Sequence, residues 1–418
     1  MLIRLAIASL LNRRATVILT LFTIALSVAL LLGVEKLRQD AKASFANTIS
    51  QTDLVVGARS GSIQLLLYSV FRIGNATSNI SWDSYQHFAN HPRVKWTVPL
   101  SLGDSHRGFR VLGTSRDYFQ YYRYGRGQPL TFEQGQRFED LYDAVIGADV
   151  ARELGYTLGQ SMIVAHGLVD IGNSGHKDKP FRVVGILART GTPVDRTVHV
   201  SLAGIEAMHI DWQAGVPIPG RSISAEQARQ MDLEPRAITA FMVGLTSKIS
   251  AFQVQRQINE YRREPMQAIL PGVALQELWD LMSVAEQALR AVSILVVVAG
   301  LAGMLSTILN TLAERRREMA ILRSVGARPL QIFTLFTLEA GLYGLFGTLL
   351  GYLVYSLSLL AAADWLLESY GLNLQLGPPG SLEWIILGAV TFAATLVGMI
   401  PAYVAYRNTL ADGLSVRI

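Results

Sequence analysis

The sequence contains no cysteine among its 418 residues, and only 17% of them are charged. Without cysteine the chain can form neither a disulfide framework nor a thiolate metal site, which excludes the small disulfide-rich secreted domains. Soluble domains average about 25% charged residues, so this chain is short of charge. Its mean hydropathy of +0.30 also excludes a disordered chain.

Several catalytic signatures are missing as well. The chain contains no Gly-Lys dipeptide and therefore no Walker A loop, and it has no H-E-x-x-H or G-x-S-x-G motif. Of the seven histidines only His87 and His91 have a helical i,i+4 spacing, and no third ligand is placed near them. We therefore predict a chain that is not an enzyme and that holds no metal or cofactor of its own.

The shortage of charge is concentrated in four long stretches without a charged residue. Each reaches the roughly 20 residues that an α-helix needs to cross a bilayer, and they cover residues 15–34, 291–313, 340–363 and 384–406. We predict four transmembrane helices, the third of them extended to 330–363. The fold class is membrane all-α plus an α+β extracytoplasmic domain inserted between helices 1 and 2.

The positions of basic residues near these spans predict the orientation. Arginines precede the first span, five more lie in the loop 314–328, and Arg407 and Arg417 lie in the tail 407–418. In contrast, the charged residues of the loop 364–383 are all acidic. We therefore expect a multi-pass protein of the bacterial inner membrane, with both termini cytoplasmic and residues 35–290 periplasmic. This topology accounts for the net charge of +5 without a nucleic-acid partner.

The N-terminal region is predicted to hold an interfacial helix and an uncleaved first span. Residues 1–14 place apolar side chains among arginines, which is typical of a helix in the membrane interface. For residues 15–34 the alternative is a cleaved signal peptide, but their apolar core exceeds the 7–15 residues usual for one. We therefore favour a first span that remains in the mature chain.

Short strand-like runs separated by helical segments fill the insert. The runs are 53–57, 109–113, 161–165, 181–187, 197–202 and 241–245, and the helical segments are 148–154, 202–210 and 251–263. Because helices and strands do not alternate regularly, an α+β domain over residues 51–272 is favoured.

Both ends of the insert are predicted to be helical and continuous with the membrane spans. Residues 35–50 lack proline and glycine, which extends the first span to about residue 50. A stalk helix over 273–290 carries an apolar seam with spacings of three and four residues, formed by Leu275, Leu278, Met282, Ala285 and Leu289 and continued by Val292. One interpretation is a helix packed on its own domain; the one we favour is a stalk that carries motion outward.

The loop 314–328 is predicted to form a short amphipathic helix that docks into a partner. Its charged end is Glu314, Arg315, Arg316, Arg317 and Glu318, followed by Met319, Ile321, Leu322 and Arg323. Gly326 is expected to end the helix as a C-cap before Pro329 begins the next span. The alternative is a basic loop that only fixes topology.

These motifs together resemble the MacB/FtsX-type permeases of ABC transporters. The resemblance rests on Glu314-Arg-Arg-Arg-Glu318 with Leu322-Arg-Ser-Val-Gly-Ala327, then Glu339-Ala340 before a glycine-rich span. It is supported by Pro401-Ala402-Tyr-Val-Ala405-Tyr-Arg407 at the end of the fourth span, by Leu10-Leu-Asn-Arg-Arg14 before the first, and by Val145-Ile-Gly-Ala-Asp-Val-Ala151 in the insert.

The resemblance implies partner proteins that the composition of the chain does not indicate. It implies a cytoplasmic ABC ATPase dimer that binds ATP and Mg, and a second permease copy, either identical or related. It implies an insert of two lobes, porter-like over 51–100 and 238–272 and sabre-like over 101–237. It assigns contact with the ATPase to the predicted helix between Glu314 and Gly326. Since a Walker A loop is missing, the ATPase must be a separate chain.

Two features of the third span have alternative interpretations. Gly341, Gly344, Gly347 and Gly351 fall within about 120° on a helix and predict a close packing face, with the dimer interface as one location for it. Glu339 is the one acid in this apolar region. We favour a shallow position at the lipid head groups over a buried proton relay, because no other charge lies in the spans to pair with it.

One apolar run of the insert also has two interpretations. Residues 63–71 are too short to span a bilayer and are predicted to be buried core. The alternative is a lipophilic surface that faces a substrate, formed by Ile63, Leu65, Leu66, Leu67 and Phe71.

Three functional hypotheses remain for such a chain. The first is a mechanotransmitting subunit that exports or extracts an amphipathic or lipophilic cargo, in contact with membrane lipid and with a periplasmic adaptor or carrier. The second is an FtsX-like mechanical regulator of a periplasmic enzyme, without transport. The third is a sensor permease, which usually has more spans. The large insert favours the first.

Overall fold

The computed structural model describes residues 13–166, 178–213, 216–217, 223–314, 316–370 and 377–411. The described chain divides into two compact units. One, the membrane unit, takes its residues from 1–40, 283–367 and 374–418, and the other, the insert unit, from 41–282 and 368–373. Most of the interfacial helix predicted over 1–14 and tail residues 412–418 lie outside the described residues.

The helices are α1 (Arg14–Asn47), α2 (Ser62–Ser69), α3 (Trp82–Ala89), α4 (Asp117–Tyr121), α5 (Ala148–Leu154), α6 (Leu202–His209), α7 (Ala225–Arg229), α8 (Ala251–Asn259), α9 (Pro271–Glu314), α10 (Arg316–Ser324), α11 (Pro329–Tyr370) and α12 (Ser381–Ala411). Turns of 3-10 helix lie at Pro193–Arg196 and Lys248–Ser250.

The strands are β1 (Leu54–Ala58), β2 (Ile80–Ser81), β3 (Val94–His106), β4 (Phe109–Thr114), β5 (Arg123–Tyr124), β6 (Gln128–Pro129), β7 (Phe132–Gly135), β8 (Asp143–Ile146), β9 (Ser161–Met162), β10 (Ala165–His166), β11 (Phe181–Leu187), β12 (Thr197–Ser201), β13 (Trp212–Gln213), β14 (Val216–Pro217), β15 (Ala237–Ile238), β16 (Ala240–Leu245) and β17 (Met266–Ile269).

Among the described residues, four helices are long and apolar enough to cross a membrane. These segments are Arg14–Asn47, Pro271–Leu312, Pro329–Ala363 and Ser381–Arg407, in α1, α9, α11 and α12. They coincide with the four predicted spans, and the insert lies between the first and the second in sequence. The predicted fold class is confirmed.

The membrane unit has one apolar core made by its helices. Ile24, Val28 and Leu32 of α1 are buried in it together with Phe336 of α11 and Ala394 of α12. The opposite face of α1 is equally apolar but exposed, with Phe22 and Leu26 more than half exposed. A helix that is apolar all round is typical of one packed against helices on one side and lipid on the other.

A mixed β-sheet organises the insert unit. Its strand order is β17-β1-β16-β3-β4-β12-β8-β11-β7, with β10 added beside β3 and β9 beside β11. The β4–β12 and β8–β11 pairs are parallel, and the other neighbours along the sheet are antiparallel. Because antiparallel pairing dominates and helices are not placed regularly between strands, the α+β prediction is confirmed.

Strand β1 shows how the sheet is buried on both faces. Val55 packs into the core that contains Leu65 and Leu66 of α2. Its neighbours Leu54 and Val56 point to the other face, into the core that contains residues of α3 and α8. Successive side chains of a strand alternate between faces, so a run of apolar residues is required when helices cover both.

Most predicted strands are found within a residue or two of their expected bounds, but one long strand was missed. The run 161–165 is interrupted, since β9 ends at Met162 and β10 begins at Ala165. Strand β3 has 13 residues and was not predicted because Pro99 and Gly103 lie inside it. Its pairing with β4 shifts register between Leu102 and Ser105, and this irregularity accommodates the glycine.

Candidate functional site

Helix α9 links the insert to the predicted coupling segment in one unbroken element. It has 44 residues, and at 1.5 Å per residue it is about 66 Å long, about twice the hydrocarbon thickness of a bilayer. The predicted stalk 273–290 is therefore helical and continuous with the second span. Helix α1 continues beyond its apolar run in the same way, as far as Asn47.

Polar groups and a glycine form the contact between α1 and α9 within the membrane unit. Ser27 Oγ of α1 donates to the carbonyl oxygen of Val296 at 3.2 Å, and Gly300 of α9 lies beside the same serine. Further along, Arg38 pairs with Glu286 of α9 at 3.4 Å. The small residues let the two backbones approach closely.

The predicted apolar seam of α9 does not make this contact. Met282 is 47% exposed and Leu289 57% exposed, and Val292 is similarly open. Only Leu275 and Leu278, at the insert end, are half-buried. The interpretation that the seam packs on its own domain is therefore wrong from Met282 onward. The residues of α9 that face α1, such as Glu286, lie one position along the helix from the seam residues.

Helix α10 ends as the sequence predicts. Gly326 has φ of +99°, its amide donates to the carbonyl of Arg323, and the amide of Ala327 donates to that of Leu322 at 3.0 Å. These two bonds define a Schellman motif, which requires a left-handed residue just past the helix and so favours glycine. Pro329 then begins α11. The C-cap prediction is confirmed.

The apolar residues of α10 and Val325, which directly follows it, divide between two directions. Met319 is buried in the core of the membrane unit, whereas Ile321 is 57% and Val325 84% exposed. The expectation that Met319 belongs to a docking face is wrong, because that side chain fills the chain's own core. Ile321 and Val325, four residues apart, form the outward apolar face. The side chains of Glu314, Arg315, Arg316, Arg317 and Glu318 lie outside the described residues.

The glycines of α11 lie in close contacts between helices of the same chain. A Cβ at Gly344 would be 2.7 Å from the Cβ of Ala394 in α12, and one at Gly351 would be 2.8 Å from the carbonyl oxygen of Ala25 in α1. Gly341 faces Thr395 of α12, and Gly347 faces Ile24 of α1. The location of this face at a dimer interface is therefore wrong, because α1 and α12 of the same chain already cover it.

Glu339 is buried in the membrane unit, with 4% of its surface exposed and an interaction partner in the structure. Its neighbour Ala340 packs where Gly398 of α12 leaves room for it. The side chain of Glu339 thus faces other helices, and its shallow depth at the head groups stays a prediction. The burial of a carboxylate is costly and is tolerated only where polar groups compensate it.

The apolar run of the insert forms α2 and the turn after it. Leu65 and Leu66 have essentially no exposed surface, and Phe71 is also buried. Ile63 and Leu67 are half-buried. These placements favour the core interpretation, because a side chain that faces other core residues cannot present a lipophilic surface to a substrate.

Two buried polar groups of the insert unit were not identified from the sequence. His199 on β12 has no exposed surface, and its Nδ1 lies 3.3 Å from the carbonyl oxygen of Val145. Burial lowers the pKa of His199 to about 3, and the charge of Arg72 acts in the same direction. Lys179, equally buried, donates to Asp211 at 2.6 Å. A lysine two residues before a strand gives no sequence signal of burial.

The described residues contain no group of three or more histidine, cysteine, aspartate or glutamate side chains that could hold a metal ion. His87 stacks on Tyr261, with ring centroids 5.3 Å apart, and Nδ1 of His91 accepts a hydrogen bond from the amide of Arg93. Within the described part of the chain these histidines serve packing and a turn.

Comparison with known proteins decides the family. Residues 17–261 match the family model of the MacB-like periplasmic core domain, and residues 290–410 match that of the FtsX-like permease C-terminal domain. The chain belongs to the MacB/FtsX-type family of ABC transporter permeases. This permease is accordingly a multi-pass inner-membrane subunit whose family implies an ABC ATPase partner and a dimer of permeases. ATP hydrolysis is carried out by the partner.

Two solved structures are similar to the insert region of this permease. The periplasmic region of MacB from Actinobacillus actinomycetemcomitans aligns with 10% identity and a TM-score of 0.34 over 55% of this chain and 94% of that one. The extracellular domain of the noncanonic ABC-type transporter YknZ from Gram-positive bacteria aligns with 14% identity and a TM-score of 0.31 over 52% of this chain and 99% of that one. A search of curated proteins found no match.

Proposed function

We propose that this chain transmits motion from its ATPase partner, through α10 and α9, to the insert, and that this motion exports or extracts an amphipathic or lipophilic cargo. The observation that carries the proposal is α9 itself. One helix without a break begins at Pro271 beside the last strand of the insert and ends at Glu314, where the coupling segment starts.

The position of α10 supports this role. Met319 inserts into the core of the membrane unit, so a force on α10 acts on the packed helices and not only on a loop. On the other side, Ile321 and Val325 present apolar surface that an isolated chain leaves in water. A short helix with an exposed apolar face is suited to a groove on a partner. We propose that this groove belongs to the ATPase.

The composition of the membrane core supports movement of cargo by the insert and not through the helices. The helices of the membrane unit bury Thr20, Ser27, Ser293 and Thr348, but the hydroxyl of each donates to a backbone carbonyl of its own helix, and Glu339 has an interaction partner. A hydrophilic substrate path would need polar side chains facing a cavity. Together with the arginine distribution, we propose cytoplasmic termini, a periplasmic insert, and contact with an adaptor or carrier outside the membrane.

The coupling proposal is tested by adding charge to the exposed face of α10. Ile321→Glu and Val325→Glu should reduce the amount of ATPase that copurifies with the permease by about tenfold or more, since a buried apolar contact would be replaced by a desolvated carboxylate. Ala320→Glu adds the same charge beside this face and is the matched control. Full retention of the ATPase by both variants would show that α10 is not the docking element.

Transport is tested separately from docking. The permease and its ATPase are reconstituted in vesicles with a fluorescent lipid probe, and ATP-dependent loss of the probe from the membrane is measured with an acceptor protein outside. Extraction that disappears in Val325→Glu supports the proposal. ATP hydrolysis without extraction of lipophilic probes, together with activation of an added periplasmic enzyme, would favour the mechanical regulator.

A further inference from the structure

A cavity of about 270 Å³ lies within the insert unit, between the end of α1, the segment that follows α2 and the start of β4. We refer to it as the arginine cavity, because Arg72, Arg110 and Arg196 line it. A second cavity of about 380 Å³ also has Arg72 and Arg110 in its wall. The two cavities together reach the size range of small-molecule sites in proteins.

Arg110 and Arg72 lie on the same side of the sheet. Arg110 is two residues before Leu112 on β4, so both side chains leave the strand on one face. Leu112 packs there in the core that contains Phe71, the residue before Arg72. The guanidinium of Arg110 reaches the same segment and donates to the carbonyl oxygen of Gly74 at 2.8 Å.

The charge of Arg72 is directed into the arginine cavity. Burial raises the pKa of Tyr122, and the charge of Arg72 opposes that rise. The hydroxyl of Tyr122 donates to the carbonyl oxygen of Thr48, which lines the cavity. Because Arg72 acts on a group bonded to the lining, we place its half-buried guanidinium at the inner wall.

Neither of these two arginines is paired with a carboxylate in the described part of the chain. Arg72 donates to the carbonyl oxygen of Ser69, and Arg110 donates to one carbonyl and to Oδ1 of Asn75. Burial lowers the pKa of Arg110, and no carboxylate opposes that shift. A guanidinium has five N–H donors, so both arginines keep donors for a ligand.

The other charges of the lining have partners within the insert. Asp149 is the one acid among the described lining residues, and it pairs with Arg152 at 2.9 Å and with Arg189 at 3.5 Å. Arg196 pairs with Glu153. The two remaining guanidiniums therefore give the cavity positive charge that no described side chain neutralises.

Apolar side chains form much of the remaining wall. Phe45 of α1 and Phe71 line the cavity with ring centroids 4.7 Å apart, and Phe109 lines it from β4. Ile73 also lines it and is 54% exposed. An alkyl or aromatic group bound here would remove Ile73 from water, which is favourable. Cations beside an apolar wall suit a ligand that is both acidic and apolar.

We propose that the arginine cavity binds an amphiphilic anion, whose carboxylate or phosphate head group contacts Arg72 and Arg110 and whose apolar part lies along Phe71 and Ile73. The planar fork of a guanidinium matches the paired oxygens of either head group. This inference rests on the proposed function and names the chemistry of its cargo, which is an acidic amphiphile.

A ligand in this cavity touches the place where α1 and α9 meet within the insert. Phe45 lies near the end of α1, and its ring centroid is 5.5 Å from that of Trp279 in α9. Lys42 of α1 lies over the same tryptophan ring. Packing of the ligand on Phe45 therefore acts on the helices that we propose transmit motion.

The proposal is tested by isothermal titration calorimetry of the purified full chain in phosphatidylcholine nanodiscs, with empty nanodiscs as the reference. Octyl phosphate and octanoate are compared with octanol, which has no charge, and with inorganic phosphate, which has no chain. The tighter of the two amphiphilic anions should occupy one site per chain, with at least about tenfold higher affinity than octanol or inorganic phosphate. It also identifies the head group. An anion that binds no better than octanol, or no better than inorganic phosphate, would overturn the proposal.

Variants assign the binding to this cavity. Arg72→Gln and Arg110→Gln should each weaken binding of the tighter anion by about tenfold or more, because a charge-assisted contact is lost. Arg107→Gln removes an exposed cation beside Gly108 but outside the lining, and should bind as the wild type does. Full affinity in folded Arg72→Gln and Arg110→Gln proteins would refute the assignment.

The apolar half of the site has a test that does not depend on the arginines. Ile73→Ser changes an exposed residue, so folding should be preserved, and it should reduce the affinity for the amphiphilic anion toward that for inorganic phosphate. Unchanged affinity would place the apolar part of the ligand elsewhere and contradict the proposal.

Failure of this inference is distinguishable from failure of the proposed function, because binding is measured without ATPase or ATP. A permease that extracts the lipid probe but shows no preference for the anions contradicts the cavity assignment alone. A permease that binds the anions as expected but extracts no lipophilic probe contradicts the transport proposal and leaves the site in place.

Discussion

The environment of His199 links a single side chain to the pH dependence of stability. The ring contacts the rings of Tyr118 and Phe119, and its Nε2 atom finds no hydrogen-bond partner in the described structure. With a pKa of about 3 in the folded chain and about 6.5 when unfolded, the unfolded state takes up the proton first as the pH falls. Stability is thus fully present above pH 6.5 and is lost between pH 6.5 and 3.

We expect the free energy of unfolding of the insert to fall by about 2 kcal/mol from pH 7 to pH 5 through this residue. His199→Phe keeps an aromatic ring in the cluster and should remove this part of the acid loss. The measurement is Tm by tryptophan fluorescence at both pH values. His87→Gln, at an exposed position, serves as the control, and an unchanged pH dependence in His199→Phe would exclude a titrating role for the buried ring.

The Lys179–Asp211 pair is a second test at the scale of the residue. Burial raises the pKa of Asp211, but the hydrogen bond and charge of Lys179 and the amide of Ile223 outweigh it, so the pKa is lowered overall. The carboxylate of Asp211 is buried, and Lys179→Met removes the ammonium that lies 2.6 Å from it. Loss of one partner of a buried pair costs about 3–5 kcal/mol.

That loss should appear as a large decrease in Tm for Lys179→Met. The double variant Lys179→Met with Asp211→Leu removes both charges and should recover most of it, since no buried charge is left unpaired. If the double variant is as unstable as the single one, the packing of Lys179 and not its charge is what the insert needs.

At the scale of the element, the glycines of α11 allow its close contacts with α1 and α12. Gly344→Leu would drive a side chain into Ala394 and the carbonyl of Thr391, and would separate α11 from α12. A Cβ added at Gly388 of α12 would meet no atom within 4 Å, so Gly388→Leu is a matched control in the same pair of helices.

We expect Gly344→Leu to reduce the yield of folded protein severely and Gly388→Leu to leave it near that of the wild type. Size-exclusion chromatography of the detergent-solubilised chain provides the measurement. Comparable yields from the two variants would mean that the α11–α12 contact is loose enough to accept a side chain at Gly344.

Sequence reasoning succeeded for elements whose signal is local. The four spans are predicted by length and absence of charge, and the C-cap at Gly326 by one glycine before a proline. Predictions from the sequence failed where they concerned which neighbouring helix packs on a given helix face. The spacing of Leu289 with Met282 predicted a seam but not that Glu286 and Gly300 would face α1. Nor does the sequence show that Gly347 packs on Ile24 of the same chain.

At the scale of the whole molecule, the exposed seam of α9 is where a second permease copy would be expected to pack. Leu289 and its neighbours repeat every three or four residues, the pattern that lets two helices interlock. Because the chain has no cysteine, a single introduced one reports on a single position.

We expect Leu289→Cys and Ala285→Cys to form disulfide-linked dimers in native membranes under mild oxidation. Glu286→Cys, on the face turned to Arg38 of α1, should remain monomeric. Non-reducing electrophoresis distinguishes these outcomes. Efficient crosslinking of Glu286→Cys but not of Leu289→Cys would assign the seam to lipid.

The long strand β3 has a consequence for how the insert unfolds. Residues up to Leu100 pair with β16, and residues from Leu100 onward pair with β4 and β10, so one strand is shared by both halves of the sheet. Because β3 supplies a partner strand to both halves, unfolding of β3 removes strand pairing from both at once. The amides of β3 should therefore be among the slowest to exchange, and the two halves should melt in a single transition.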